Sequence, residues 1–481
     1  VITRRTLLKS TPALLLPPLF GALPGCGGSD GDAAGAGCAT PVSTAGTQPP
    51  RGLHASWTGD PRTTRTLTWF TDGSSDPGSV IEYGPVEAGM SDCEIASAAF
   101  PSRAEGRAQA TYGVDALTHT ATASGLDPAR ALRYRVGSEA GGWSAVHVLP
   151  AAPAEGFRFC HFGDHAMSDA SRAVVARVQQ RAPDFTIIAG DLSYANGEQP
   201  VWDQYFDMLE PLAARVPLMT CPGNHEAKDG GGDGYRTRMT QPGQNTYYSF
   251  DYGNVHFCFS TGGSLVGDLA DAGALLAELA WLESDLADAA RRRAAGAIDF
   301  IVFVQHYTIW TSCEGRDPAN FTLVALEENI LLRHGVDLLA VGHDHIYERS
   351  QPMGYGRPRD GGYVQVTQGG GGQSLYELVV NRSDWSAIAL LRHGFTEFVV
   401  DGTTIRGTTY GVENDALEVL PDGAELPVLD TFEIPARSTA ARAAFVAAAA
   451  KSRADADFDH EAMVRHTIER NRRHDLAEAG A

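Results

Sequence analysis

The sequence predicts an all-β domain followed by a larger α/β domain, in which layered β-sheets are flanked by helices. Two observations carry this. Over residues 51–152 short strand-like runs recur between turn residues, the pattern of a sandwich of antiparallel strands. From Phe157 onward, near-continuous apolar runs occupy 157–162, 185–189, 216–221, 255–259, 300–304 and 336–341, several separated by helical stretches such as 168–182, 271–293 and 320–334. Apolar runs without alternation imply strands buried on both faces, hence sheets covered by other layers. A length of 481 residues suits two or three domains.

Residues 1–26 read as a leader rather than as part of the fold. Arg4 and Arg5 precede an apolar stretch, Leu14 to Leu23, with no acidic residue, which has the look of a twin-arginine export signal. Leu23-Pro24-Gly25-Cys26 has the form of a bacterial lipoprotein cleavage box. The expectation is an exported protein, periplasmic or at the cell surface, lipid-anchored through Cys26. Residues 27–50, mostly Gly, Ala, Ser, Thr and Pro, read as a flexible tether. No later segment is apolar for long enough to be a transmembrane helix. The formal charge of −21 argues against nucleic acid as a partner, and any phosphate site must obtain positive charge locally, from a metal for example. Seven scattered cysteines without CxxC pairs exclude a zinc ribbon or a dense disulfide framework. Cys160, Cys221 and Cys258 fall in apolar runs and read as small hydrophobes, whereas Cys38 and Cys93 are open to pairing.

In the first domain Leu67-Thr68-Trp69-Phe70, 80–84, 119–122 and 132–136 are strands, with turns at Asp72-Gly73 and Leu126-Asp127-Pro128. Pro150 and Pro153 mark the linker to the second domain, expected over 153–435. There a further strand at 364–367 leads into Gly369-Gly370-Gly371-Gly372, read as a tight turn because no Lys-Ser/Thr comes after it. Runs at 395–400 and 403–410 form a hairpin around Asp401-Gly402, and 436–481 reads as a helical surface tail that is uninformative about chemistry.

The residues immediately after the apolar runs decide the chemistry. Five of the six runs end in metal-competent residues, in Gly163-Asp164-His165-Ala166, Gly190-Asp191-Leu192-Ser193-Tyr194, Gly223-Asn224-His225-Glu226, Val304-Gln305-His306 and Gly342-His343-Asp344-His345. Ligands collect beyond the carboxyl ends of strands in sheets of this kind. Two carboxylates, a phenol, a carboxamide and several imidazoles are more donors than one ion needs. Two ions sharing a carboxylate would use them all and suit in-line displacement at phosphorus. The glycines ahead of the ligands let the backbone turn sharply at the strand ends.

In order, spacing and residue types these motifs resemble the calcineurin-like metallophosphoesterases, and among them the purple acid phosphatases, as an exported bacterial member with the plant-type two-domain layout. The resemblance spans roughly 51–435 and includes Tyr247-Tyr248-Ser249-Phe250 and Ile346-Tyr347-Glu348-Arg349-Ser350. It implies a fibronectin type III-like first domain. It also implies that Asp164, Asp191, Tyr194 and His345 hold Fe(III), while Asp191, Asn224, His306 and His343 hold a divalent Zn, Mn or Fe, with Asp191 bridging. Ala166 stands where many relatives carry a histidine ligand, and Tyr194 takes that place; a phenolate is a hard donor suited to Fe(III). The implied reaction is acid phosphatase chemistry, attack of a metal-bound hydroxide on a small phosphomonoester, with His225 as general acid or phosphate contact and Glu226 orienting it.

The loop after His306 departs from the plant-type pattern, since 307–313 contains no histidine. Tyr307, Arg316 and His165 are the candidates for substrate contact. Two alternatives stay open: a phosphodiesterase or nucleotide pyrophosphatase with the same metals, and a non-catalytic surface binding lipoprotein.

Overall fold

The structure is a computed structural model describing residues 46–153, 155–267, 271–441, 443–444, 468–469 and 472–473. The segments expected to be a leader (1–26, with Cys26) and a tether (27–50) lie outside the described residues up to residue 45, as does most of 436–481. Among the described residues, no helix is long and apolar enough to cross a membrane.

Two antiparallel sheets form the first part. One orders Arg51–Ser56, Thr64–Asp72, Ala116–Ser124 and Arg107–Ala110; the other orders Ser102–Glu105, Val80–Pro85, Leu132–Ser138 and Gly142–Trp143, with His147–Leu149 also pairing Leu132–Ser138. Trp69 and Leu67 from the first sheet and Ile81, Tyr134 and Val136 from the second share one core, as facing sheets must. This sandwich is tied to the rest of the chain. Tyr134 Oη donates to the Ala214 carbonyl at 2.7 Å, Arg51 pairs with Asp203 at 2.9 Å, and the His54 ring stacks on Phe206 at 4.7 Å.

From Phe157 the chain builds two mixed sheets. The first orders Leu218–Cys221, Phe185–Ala189 and Phe157–Phe162, all parallel, then Gly394–Asp401, Thr404–Gly411 and Val428–Pro435, all antiparallel. The second orders Tyr248–Tyr252, Val255–Phe259, Phe300–Val304, Leu338–Val341, Val364–Gln368, Tyr347–Ser350 and Ser386–Leu390, parallel in its middle four strands. An aromatic core lies between the sheets: the Phe159 and Phe185 rings stack at 5.3 Å, and Phe257 meets both edge-on at 5.3 Å. Helices Asp169–Arg181 and Pro200–Ala213 pack on the outer face of the first sheet, and Ala272–Ala294 and Asn329–His334 on that of the second. The predicted fold class, layered sheets flanked by helices behind an all-β domain, is the one observed.

Local differences have local causes. Pairing expected from 216 starts at Leu218, because Pro217 has no N–H for the ladder. Helix Asp169–Arg181 is one residue shorter at each end than expected, with Ser168 accepting from Ser171 N as its cap and Ala182 left-handed at φ 48°. Pro200–Ala213 is a helix that the apolar pattern did not reveal; Pro200 sits in its first turn, where no N–H is missed. The stretch 320–334 is helical from Phe321 to His334, but its winding changes within it. A π turn, Val324–Glu328, separates Phe321–Leu323 from Asn329–His334 and turns both Glu327 and Glu328 inward. There Glu328 Oε1 accepts from Trp310 Nε1, Tyr355 N and Tyr363 Oη at 2.7–3.1 Å.

His161, in the middle of Phe157–Phe162, is fully buried beside Phe398, and neither ring nitrogen has a hydrogen-bond partner among the described residues. Burial pushes its pKa down to about 3. It is neutral in the fold and takes up a proton on unfolding below its ordinary pKa, so its contribution is complete above about pH 6.5 and is lost as pH falls toward 3. Guanidinium titrations between pH 7 and 4.5 should show stability falling on acidification. His161→Leu should flatten that fall by about 1.4 kcal/mol per pH unit below 6.5; an unchanged slope would mean that the ring is charged in the fold.

Candidate metal centre and its surroundings

Five strands aim their carboxyl ends at one point. Phe157–Phe162, Phe185–Ala189 and Leu218–Cys221 of the first sheet lead into Asp164, Asp191 and Asn224-His225; Phe300–Val304 and Leu338–Val341 of the second lead into His306 and His343–His345. The sharp turns are made less by the glycines than by the ligands. Asp164, Asp191, Tyr194 and His343 have φ of 55°, 52°, 54° and 71°, left-handed values that L-residues adopt only where the surroundings hold them. Gly190 shares that region at φ +79°, and a Cβ there would lie 2.6 Å from the His306 ring. Gly223 has ordinary φ; it is required because a Cβ would come within 2.1 Å of Asp191 Oδ1.

The donors fall into two groups. Around His306 Nε2 gather Asn224 Oδ1 at 3.1 Å, Asp191 Oδ2 at 3.2 Å and His343 Nδ1 at 3.2 Å. Ligand atoms of Asp191, His306 and His343 all lie within 4.8 Å of one another. A single proton satisfies one pair of such lone-pair donors; a cation satisfies them together. In the second group Tyr194 Oη is 3.2 Å from Asp164 Oδ1 and 3.0 Å from His345 Nε2, and His345 Nε2 is 3.3 Å from Asp164 Oδ1. His306 and His345 each engage a backbone carbonyl through Nδ1, Ala189 at 2.8 Å and Ser374 at 2.7 Å. That back-bonding fixes the tautomer and leaves Nε2 as the coordinating atom. The donor set therefore fits metal ions, with Asp191 lying in the first group and Asp164 in the second.

Electrostatics at the centre follow from burial. Asp164 and Asp191 are at most 1% exposed. Burial raises the Asp164 carboxyl above its ordinary value. It would raise Asp191 too, but His306 and His225 outweigh it and hold Asp191 below the usual carboxylate range. Burial alone would lower His306, yet Asp191 and Asp164 carry its pKa up to about 10. In the metal-free chain the acids thus hold a proton on the imidazole that a cation would displace.

His225 lies at the rim of this cluster. Its Nδ1 is 2.5 Å from Asn196 Oδ1, its Nε2 is 3.8 Å from Asp191 Oδ2, and its ring packs 4.1 Å from that of Tyr194. Asn196 did not stand out in the sequence; its place two residues after Tyr194, in the same turn, was the available signal. Glu226 differs from expectation. Its carboxylate accepts from Gly223 N at 2.7 Å and from Asp191 N and Leu192 N, each at 2.9 Å. It clamps two ligand loops together from behind, and burial followed by the Asp191 charge pushes its pKa up to about 7.

Two of the three substrate-contact candidates are corrected. His165 is fully buried on the helix side, with Nδ1 3.1 Å from Tyr205 Oη and Nε2 3.1 Å from the Ser171 carbonyl. The left-handed turn at Asp164 sends the next side chain away from the centre. Tyr307 is also fully buried and packs edge-on behind His343 at 4.6 Å, supporting a ligand instead of facing substrate. Arg316 remains. With His343 and Asp344 it lines a cavity of about 540 Å³, its Nε 3.3 Å from Asp344 Oδ1 and its guanidinium 5.3 Å from the centre of the Tyr376 ring. Tyr376 in turn stacks on His345 at 4.0 Å. Thr308 Oγ1 donates to Asp344 Oδ2 at 3.0 Å. Tyr376 thus enters the site through tertiary contacts alone, whereas Asp344 lies between two donors in the chain.

Known proteins agree with this architecture. Residues 157–347 match the calcineurin-like phosphoesterase family, and residues 50–149 match the purple acid phosphatase N-terminal domain. The chain is 30% identical over 407 residues to mouse (Mus musculus) acid phosphatase type 7, covering 74% of this chain and 86% of that protein. It is 26% identical over 337 residues to purple acid phosphatase 18 of Arabidopsis thaliana, covering 67% of this chain and 71% of that one. A purple acid phosphatase from yellow lupin (Lupinus luteus) seeds has the same fold, with a TM-score of 0.64 at 22% identity over 80% of this chain and 74% of that chain. The chain belongs to the purple acid phosphatase family of calcineurin-like phosphoesterases.

Proposed function

We propose that this protein is an exported acid phosphatase with a binuclear metal centre, hydrolysing small phosphomonoesters. The observation that carries the reading is the convergence of three further donors on His306 Nε2 beside the triad Asp164, Tyr194 and His345, because paired cations suit in-line displacement at phosphorus. Asp164, Tyr194, His345 and Asp191 would hold Fe(III), with Asp191 shared by a divalent Zn, Mn or Fe that Asn224, His306 and His343 complete. Bound there, the two ions supply Lewis acidity toward the phosphoryl oxygens and lower the pKa of water.

The chain's own residues do the positioning. Asn196 orients His225 so that Nε2 faces the centre, where it holds a proton against a phosphoryl oxygen. Arg316, anchored by Asp344, supplies local positive charge in a strongly acidic chain. Glu226 fixes the loops of Asp191 and Asn224 relative to each other. Export to an oxidising compartment is supported by Cys93, which is disulfide-bonded, and anchorage would be through lipid on Cys26.

The metal-replete protein is expected to turn over 4-nitrophenyl phosphate much faster than bis(4-nitrophenyl) phosphate and to show a visible tyrosinate-to-Fe(III) band that Tyr194→Phe abolishes. Preference for the bis-ester, or a colourless metal-replete protein, would overturn the assignment. His225→Ala should lower kcat about a hundredfold at unchanged metal content, with Asn196→Ala giving a smaller loss in the same direction; elemental analysis of both variants separates this from loss of a ligand. Fractionation of cells expressing Cys26→Ala should find the protein released from the membrane fraction that retains the parent.

A further inference from the structure

Part of the cavity beside His343 and Asp344 is walled by residues from far along the chain. Besides Arg316 and Phe321, Glu469 and Arg473 line it, and both belong to the stretch 436–481, which by sequence alone says nothing about chemistry. The described residues there, 468–469 and 472–473, are helical. Glu469 stands one turn ahead of Arg473 and pairs with it, Arg473 Nε lying 3.4 Å from Glu469 Oε1, the favourable order for such a pair on a helix. Next to them Ile468 is half-buried and packs in a small apolar cluster with Val266 and with Leu275 and Leu279 of helix Ala272–Ala294. One isoleucine thus anchors the segment, and its charged neighbours face the cavity. The anchor is light. The Glu469 and Arg473 side chains keep 52% and 69% of their surface in solvent, and half-burial of a single isoleucine favours docking by only about tenfold. A wall held so lightly is absent from about one molecule in ten. With the wall in place the cavity measures about 540 Å³, room for a small ligand; a bulky group needs the wall gone.

We propose that Ile468, Glu469 and Arg473 form a removable wall of this cavity that limits the bulk a substrate can carry beyond its phosphoryl group. Docked through Ile468, the wall confines the site to small esters; released, it admits large ones. The limit acts by occupied volume and is therefore indifferent to the chemistry of the leaving group. The proposal rests on the phosphatase reading for what the cavity holds, whereas the docking of the wall does not depend on it.

The test compares the full-length, metal-replete parent with Ile468→Asp, which puts a charge into the apolar cluster, and with Ile468→Leu, which keeps it apolar. Phenyl phosphate and a short phosphotyrosyl peptide release the same kind of phenolate and differ in bulk. Ile468→Asp should raise kcat/KM for the peptide about tenfold and change that for phenyl phosphate by less than about twofold, with Ile468→Leu at the parent values. Calorimetric affinities for benzylphosphonate and for the same peptide carrying phosphonomethylphenylalanine, neither of which can be hydrolysed, should follow the same pattern. Hydrogen exchange reads the docking itself: peptides containing Val266 and Leu275 should exchange faster in Ile468→Asp than in Ile468→Leu, and thermal melts of both variants check the fold. Exchange that is equal in the two variants would overturn the docking. An equal effect of Ile468→Asp on the small and the bulky ligand, including none on either, would overturn the size limit. If the parent hydrolyses neither ester, the phosphatase reading fails, and the phosphonate titrations with hydrogen exchange still decide the wall.

Discussion

Two carboxylates taken wholly out of water set the terms for the rest of this molecule. Asp164 and Asp191 sit at the carboxyl ends of neighbouring parallel strands, where the cost of burying charge is repaid only by opposite charge at close range. The histidines around them do part of this: Asp191 and Asp164 push the His306 pKa up to about 10, so that without a cation its imidazolium would offset part of their charge. Yet one imidazolium cannot satisfy the donors that crowd it. The arrangement makes sense as a ligand set whose cations complete the charge balance, so that metal binding and the stability of these loops are one equilibrium.

Holding the set open requires strain to be stabilised elsewhere. Four of the proposed ligands occupy left-handed backbone conformations, and the Glu226 carboxylate, accepting from three backbone N–H groups, ties the loop of Asp191 and Tyr194 to that of Asn224. The aromatic layer between the sheets and the helices outside them make the strand ends rigid, which is what a preformed site needs. The N-terminal sandwich adds to that rigidity by docking on the helix Pro200–Ala213 through Arg51 and His54 and on the turn after it through Tyr134.

The same packing divides polar residues near the centre into those that face it and those that support it. His165 and Tyr307 are next to ligands in the chain but are buried behind them. Arg316, ten residues from the nearest ligand in the chain, His306, reaches the cavity through Asp344 and Tyr376. Adjacency along the chain is therefore a poor guide to adjacency at the site.

The apolar runs and the residues at their carboxyl ends determined the layered fold and the donor set, because burial on both faces of a sheet imposes long apolar strands and a metal centre demands particular donor atoms. Strands 157–162, 185–189, 255–259 and 300–304 coincide with those observed. The tertiary structure decided what depends on direction and not on composition. It aimed His165 away from the centre, gave Glu226 to the backbone and Asn196 to His225, put a π turn within 320–334, and left Phe321 exposed on the cavity wall. Each of these arises from a backbone angle or a long-range contact, and neither is encoded in the identity of a residue and its immediate neighbours.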